Sequence, residues 1–429
     1  MKVPKRIENI IMNALQGGVV PRTGLGYIAV GREQEIATLL KDVEIVEEGG
    51  ATFRFVTGTY GSGKTFLLQM IKEYAIAKGF VVADADLSPN RSLVGTTAQK
   101  KGLATYRELM CNLSTKTSPT GGALGKILDV WLNEIWVDVA KNIGTGGVQG
   151  NALEEMVSNK IYGTILNMQE MVHGYDFANI LIMYWKASRV NDAELKSKAL
   201  RWLRGEYVTK SEAKADLGVT TIINDDDWYD YIKLLSEFLV KIGHKGLIII
   251  IDELINIYKS TSAITRNNNY EKILAMYNDT MQGKARNLGI IMGGTPQAIE
   301  NMDRGLFSYE ALKSRLESGR YGSNVMINLM TPIIKIVPLT KEEIIVLLEK
   351  ISEIHADMYG YELIITSEDI IEFIMDAIRE KEDITPRSII RDFIEILNLS
   401  YQNNNVSIKE IMETFKYSDD VENVEDIEE

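Results

Sequence analysis

The sequence predicts an α/β fold: a parallel sheet sandwiched by helices, carrying a large helical insertion and a C-terminal helical lid. Three observations predict it. Short β-rich runs alternate with amphipathic helices over residues 1–87, and the alternation resumes over 230–339; this is the rhythm of strands joined by covered crossovers. The run "LIIIID", residues 247–252, is continuously apolar up to its last residue, as a strand buried on both faces must be. Over 88–229, and again over 340–415, the strand signal gives way to long helical periodicity.

In chain order, "RIENIIMNAL" and "GREQEIATLLKDV" read as helices, "TFRFVTG" as a strand, "TFLLQMIKEYAIAKG" as a helix and "FVVADADLS" as a strand. The insertion is helical, broken by "TKTSPTGG" and "KNIGTGGVQG", whose Gly, Pro, Ser and Thr content marks loops. "GLIIIIDELINIY" and "NLGIIMGGTPQAIENM" restore the strand and helix order, followed by the apolar run "PIIKIVPLT". The lid is read as "KEEIIVLLEKISEIHADMYG", "SEDIIEFIMDAIRE", "TPRSIIRDFIEILNLSYQ" and "SIKEIMETF". Residues 416–429 are acidic and poor in apolar side chains, the composition of a disordered tail. No internal repeat is present.

A length of 429 residues suits two to three domains, and 45% hydrophobic with 25% charged residues is ordinary globular composition. No stretch approaches the length of a spanning helix, and "MKVPKRIENIIMNAL" leads into an amphipathic helix without an apolar signal core. The expectation is a cytoplasmic protein with no membrane partner. Cys111 stands alone, so no internal disulfide can form, and His173, His244 and His355 are too scattered to make a zinc set. A net charge of -13 argues against a surface that coats a polyanion, while leaving room for a local basic patch.

"GTYGSGKT" fits the spacing G-x-x-x-x-G-K-[ST] between a β-rich strand and an apolar helix. Gly58, Gly61 and Gly63 let the backbone of Gly58, Thr59, Tyr60, Gly61, Ser62 and Gly63 fold tightly, turning its N–H groups toward phosphates at a helix N-terminus. Lys64 then neutralises phosphate charge and the Thr65 hydroxyl is a ligand for Mg²⁺. Asp252, at the carboxyl end of the isoleucine strand, lies where open α/β sheets place ligands and suits the Mg²⁺ shell. Glu253 is either the base that polarises an attacking water or a cap carboxylate. Thr295, at the end of "GIIMGG", either senses the terminal phosphate and holds the water or caps "PQAIENM".

These residues together resemble a known family. "VGREQEI", "GTYGSGKT", "IIIIDE", "GGTP" and "TPRSIIRDF" are similar to the motifs of AAA+ P-loop ATPases of the origin-recognition and helicase-loader clade. "GGVVPRTGLGYIAVGREQEI", "GGATFRFVTGTYGSGKTFLL", "GFVVADADLSPNR", "GGTPQ" and "RGLFSYEALKSRL" resemble the ATP-binding proteins of BREX bacteriophage-resistance systems, the shorter BrxD-like members in particular. The resemblance implies ATP and Mg²⁺ as cofactors, ATP hydrolysis at the interface of a homo-oligomer, and other BREX-system proteins as partners. It implies that Gly31 and Arg32 lie near the base or ribose, that Thr295 is sensor 1 and Arg387 sensor 2, and that Arg304 or Arg315 reaches a neighbour's site. Two departures stand out. Few residues follow the lid helices, so a winged-helix domain for carried-over duplex binding is not expected, and the insertion over 88–229 is foreign to the minimal core.

Helical spacing puts Tyr309, Leu312 and Leu316 on one stripe with Arg315 beside it, while Arg304, next to Gly305, is expected to be the more mobile. The insertion carries a denser basic run in which Lys196, Lys198, Arg201 and Arg204 surround Trp202, with Tyr207 close behind. Such a run either grips DNA and stacks a base, or solvates a packed helix. Two functions follow: an ATPase driving conformational change in an anti-phage DNA modification and restriction system, or an ATP-gated switch that hydrolyses little and recruits partners.

Overall fold

The computed structural model describes residues 3–95, 99–143, 151–166, 173–317, 328–363, 365–380, 385–403 and 406–415. The expected acidic tail, 416–429, and most of "KNIGTGGVQG" lie outside the described residues. Two compact units form: the described parts of Met1–Ile36, Gly58–Met70 and Lys335–Glu429 make one, and Ala37–Thr57 with Ile71–Ile334 the other.

The larger unit is built on five strands, β1 (Ala51–Thr57), β2 (Val81–Asp86), β3 (Leu247–Asp252), β4 (Leu288–Gly294) and β5 (Ile333–Lys335), in the order β2-β3-β4-β1-β5. The pairs β2·β3, β3·β4 and β4·β1 are parallel. Every residue of β3 and β4 is buried, which is why their sequences are apolar throughout instead of alternating. β1 is less covered, and Arg54 on it forms a two-pronged pair with Asp42 at 2.7 and 2.9 Å and also donates to the Thr331 carbonyl at 2.6 Å. Gly289 lets β4 lie close to β3, since a Cβ there would come within 2.6 Å of Ile248 Cδ1.

The helices of the insertion do not form a core of their own. Phe53, Ile249, Ile290, Trp131, Trp202, Trp228 and Phe238 belong to one continuous buried cluster, in which each fully buried large side chain contributes on the order of 1.5–3 kcal/mol. The helix Lys101–Cys111 packs on β2 and ends at the chain's one cysteine, which is exposed.

The smaller unit has a second core, in which Ile11 and Leu15 of the helix Lys5–Gln16 meet Leu348, Phe373, Phe393 and Leu397. Three of its helices start at side-chain caps. Thr340 and Glu343 exchange hydrogen bonds in a capping box at the head of Lys341–Tyr359, and Ser407 and Glu410 do the same for Ile408–Thr414. Thr385 caps Pro386–Gln402, with Pro386 at the first helical position where its missing N–H costs nothing.

Candidate functional site

The loop that follows β1 is held in shape by its own backbone and by Lys64. Gly61 and Gly63 take φ of 70° and 93°, conformations that a side chain opposes. Lys64 Nζ donates to the Gly58 and Thr59 carbonyls at 2.9 Å each, and the Ser62 N–H to the Thr59 carbonyl at 3.2 Å. The helix Lys64–Lys78 begins its ladder with Leu67 N–H to the Gly63 carbonyl at 3.0 Å, so the amides of its first turn lie outside that ladder and give the turn its positive end. Close quarters demand glycine at two positions. A Cβ on Gly58 would stand 2.5 Å from Ser62 Oγ, and one on Gly61 2.7 Å from Thr385 Cβ. Ser62 Oγ is buried with no hydrogen-bond partner among the described residues. A glycine cradle with a buried orphan hydroxyl and a helix N-terminus fits a phosphate chain.

Two further side chains of the smaller unit reach this loop, those of Arg32 and Arg387. Gly31 and Arg32 are both left-handed, each with φ of 66°. The Arg32 guanidinium donates through Nη2 to the Ser62 carbonyl at 2.8 Å, and its Nη1 lies 3.5 Å from Glu35 Oε1. Burial pushes the Arg32 pKa down, with Glu35 opposing the shift. Arg387 donates to the Tyr60 hydroxyl. Thr59, Tyr60 and Thr65 are exposed.

Parallel pairing brings the carboxyl ends of four strands of the larger unit to one edge of the sheet. Thr57 stands opposite Gly294 and Asp86 opposite Asp252. Asp252 is buried and its Oδ1 accepts from the Glu253 N–H at 2.8 Å. Glu253 has φ of 64°, a strained conformation for a residue with a side chain. β4 lies between β3 and β1, and Thr295, immediately after it, accepts the Ala298 N–H at 3.3 Å, so its hydroxyl does cap the helix Pro296–Glu300.

Sequence reasoning missed Asp86. Burial and the facing Asp252 push its carboxyl above the ordinary range. The available signal was the acid that ends "VVADAD", matching the acid that ends "LIIIID" on the neighbouring parallel strand.

Arg304 and Arg315 are both held by hydrogen bonds. Arg304, expected to be mobile, is folded onto its own chain: Nη2 donates to the Tyr258 and Ser260 carbonyls at 3.3 and 3.2 Å, and the ring of Tyr258 lies 5.4 Å below the guanidinium. Tyr270 donates its hydroxyl to the Arg304 carbonyl, so side chain and backbone are both tied. Arg315 is exposed on Glu310–Leu316, with Nε on Asn278 Oδ1 at 3.0 Å, while Leu312 and Leu316 fill the core.

The basic run is matched by acids. Lys196 meets Asp129 at 2.7 Å, Lys198 meets Glu194 and Asp216 at 2.7 and 3.2 Å, Arg201 meets Glu212 at 3.0 Å, and Arg204 approaches Glu206 at 3.9 Å. Trp202 is 1% exposed with Nε1 on the Thr221 carbonyl, and Tyr207 is equally buried. Neither ring is open to stack a base, so of the two readings of this run the geometry matches the packed helix with Trp202 in the core. No group of three or more His, Cys, Asp or Glu side chains is arranged to hold a metal ion among the described residues, and no described helix is long and apolar enough to cross a membrane.

No curated protein matches the chain. The family model described as BREX system ATP-binding protein BrxC/D matches residues 3–416 of the 429, nearly the whole chain. A glycine cradle for phosphates and a match of that extent point the same way: the chain belongs to the BrxC/D family of BREX system ATP-binding proteins.

Proposed function

We propose that the protein is a cytoplasmic, Mg²⁺-dependent ATPase of the AAA+ P-loop type that couples ATP turnover to conformational change in BREX phage resistance. The observation that carries this reading is the Gly58–Thr65 loop, whose backbone is shaped by Lys64 and by close-packed glycines at the start of a helix. The amides of that first turn bind phosphate oxygens, and Lys64 exchanges its two carbonyl partners for the β- and γ-phosphates. Thr65 and Asp252 are oxygen donors of the kind Mg²⁺ takes. A bound Mg²⁺ would supply positive charge that offsets the phosphate oxygens.

Glu253 accepts the proton of the attacking water. Thr295 holds that water while its Oγ continues to cap the helix behind it. Arg387 contacts the terminal phosphate from within the chain. Arg315, the exposed member of the arginine pair, reaches the site of a neighbouring copy in a homo-oligomer, with Arg304 supporting its segment. The likeness of this core to the origin-recognition and helicase-loader clade rests on the motifs, and partners are other BREX-system proteins. A DNA contact through Lys196, Lys198, Arg201 and Arg204 is a separate reading, since it requires those cations to leave their acids.

Phosphate release by wild type, Lys64→Ala and Glu253→Gln, measured beside ATP binding, tests it. Lys64→Ala is expected to lose binding, and Glu253→Gln to keep binding while turning over roughly a hundredfold more slowly. Unchanged release by Glu253→Gln would replace the enzyme with an ATP-gated switch or scaffold.

A further inference from the structure

We infer that Arg32 is a positioning residue for the phosphate loop: by holding the Ser62 carbonyl it aims the Gly63 N–H, and it does not read the base or ribose. The inference rests on the nucleotide-binding reading above and deepens it. A peptide unit is planar and trans, so the carbonyl of one residue and the N–H of the next point in opposite directions and turn as one body. The Arg32 Nη2 to Ser62 carbonyl bond, 2.8 Å, therefore fixes the direction of the Gly63 N–H, which faces away from Arg32.

Gly63 has φ of 93° and no Cβ, and a Cβ built there would meet nothing within 4 Å. This peptide has wide freedom of its own and open space beside it, so an external anchor is what selects its orientation. The front of the loop is oriented by a different group, since Lys64 Nζ takes the Gly58 and Thr59 carbonyls. Lys64 and Arg32 thus grip opposite ends of one short loop through carbonyl oxygens.

Arg32 is itself built for a fixed job. Its backbone is left-handed directly after a left-handed Gly31, a conformation that persists in a branched or long residue only where surroundings over-determine it. Its side chain is 9% exposed, and Glu35 Oε1 lies 3.5 Å from Nη1. Two of its nitrogens are thereby assigned, one to the loop and one to its own helix. A charge-assisted bond to a carbonyl is among the stronger hydrogen bonds a side chain makes.

The test compares two ligands that share phosphates and differ in the base and sugar: Mg²⁺-ATP and inorganic triphosphate, each titrated calorimetrically into full-length wild type, Arg32→Ala and Arg32→Lys. Arg32→Ala is expected to weaken both ligands by the same factor, about tenfold or more, with unchanged stoichiometry. Arg32→Lys, whose ammonium can still donate to the Ser62 carbonyl, should recover part of the loss for both. Unchanged stoichiometry separates this from misfolding, which removes sites instead of weakening them. Glu35→Gln is the second variant, leaving Arg32 in place but loosening it, and should weaken both ligands by a smaller common factor. Weakened ATP with unchanged triphosphate would assign Arg32 to the base or ribose and overturn the inference, as would unchanged affinity for both. Wild type that binds neither ligand overturns the nucleotide reading itself and this inference with it.

Discussion

Arg387 donates through Nη1 to the Tyr60 hydroxyl at 2.6 Å, and its guanidinium lies 5.8 Å from the centre of that ring. The two residues stand 327 positions apart in sequence, so the contact ties the helix Pro386–Gln402 to the glycine loop by a bond and a cation–π approach together. On the proposed reading, Arg387 must trade this hydroxyl for a phosphate oxygen. Tyr60→Phe removes the acceptor and keeps the ring, and Tyr60→Ala removes both. We expect ATP to bind severalfold tighter to Tyr60→Phe, because one competing partner of Arg387 is gone, and Tyr60→Ala to show at least the same gain. Equilibrium titration with a fluorescent ATP analogue measures this, and weaker binding in both variants would show that the contact supports nucleotide instead of competing with it.

Arg304 and Arg315 should separate by stability. Arg304 donates to the Tyr258 and Ser260 carbonyls of the segment after β3; Arg266 also donates to Ser260, but the Tyr258 carbonyl would lose the Arg304 donor, which weakens the fold. Arg304→Ala is therefore expected to lower the unfolding midpoint in urea. Arg315 is exposed, so Arg315→Ala should leave that midpoint nearly unmoved while losing hydrolysis. Mixing Arg315→Ala with Lys64→Ala protein should restore some activity. Full hydrolysis by Arg315→Ala alone would return this arginine to ordinary surface.

The basic run gives a third prediction. Lys198, Arg201 and Arg204 face Asp216, Glu212 and Glu206, and solvent-screened pairs of this kind contribute little to stability. Changing all three to Ala should lower stability slightly and leave DNA retention unchanged between low and moderate salt. A steep loss of salt-sensitive retention would show that these cations leave their acids for phosphates.

His355 sets a pH dependence. It is fully buried, with Nδ1 2.8 Å from the Tyr361 hydroxyl and Nε2 3.2 Å from Asn398 Oδ1, and burial lowers its pKa from 6.5 while Asn398 opposes. Below 6.5 the unfolded chain takes up a proton that the folded chain resists, so the stabilising contribution is complete above 6.5 and is lost as the pH falls. His244 is shifted the same way by burial, and Asp86 is shifted upward, so the informative quantity is a difference. Wild type should lose more stability than His355→Gln on going from about pH 7.5 to about pH 5.5, read from urea unfolding. Parallel losses in the two proteins would contradict the linkage.

The fold was legible where burial writes itself into composition. "LIIIID" and "LGIIMGG" are apolar at every position because β3 and β4 are covered on both faces, and "GTYGSGKT" carries its glycines because side chains at 58 and 61 would collide with Ser62 and Thr385. What stayed hidden is long-range pairing. Asp86 lies opposite Asp252 through a ladder joining residues 166 positions apart, and no local pattern records that. Glu194, one turn before Lys198, is within reach of a local pattern, but Glu212 facing Arg201 and Asp216 facing Lys198 lie beyond one helical turn, so a run that reads as basic along the chain is nearly balanced in space. Arg304 was misjudged because a neighbouring Gly305 suggests freedom, whereas Tyr258 and Ser260 supply carbonyls that only the folded chain brings near.

The solitary cysteine at the end of Lys101–Cys111 has a practical consequence. Because Cys111 is exposed and is the chain's one thiol, a single maleimide fluorophore can be attached to the natural sequence without removing any other residue. Partial burial pushes the thiol above its ordinary value even with the Arg204 guanidinium nearby, so labelling should proceed slowly at neutral pH and faster as the solution is made alkaline. The helix that carries this dye packs on β2, the strand ending at Asp86. Emission changes on adding nucleotide would therefore give a real-time readout of motion beside that strand, reported from the native thiol.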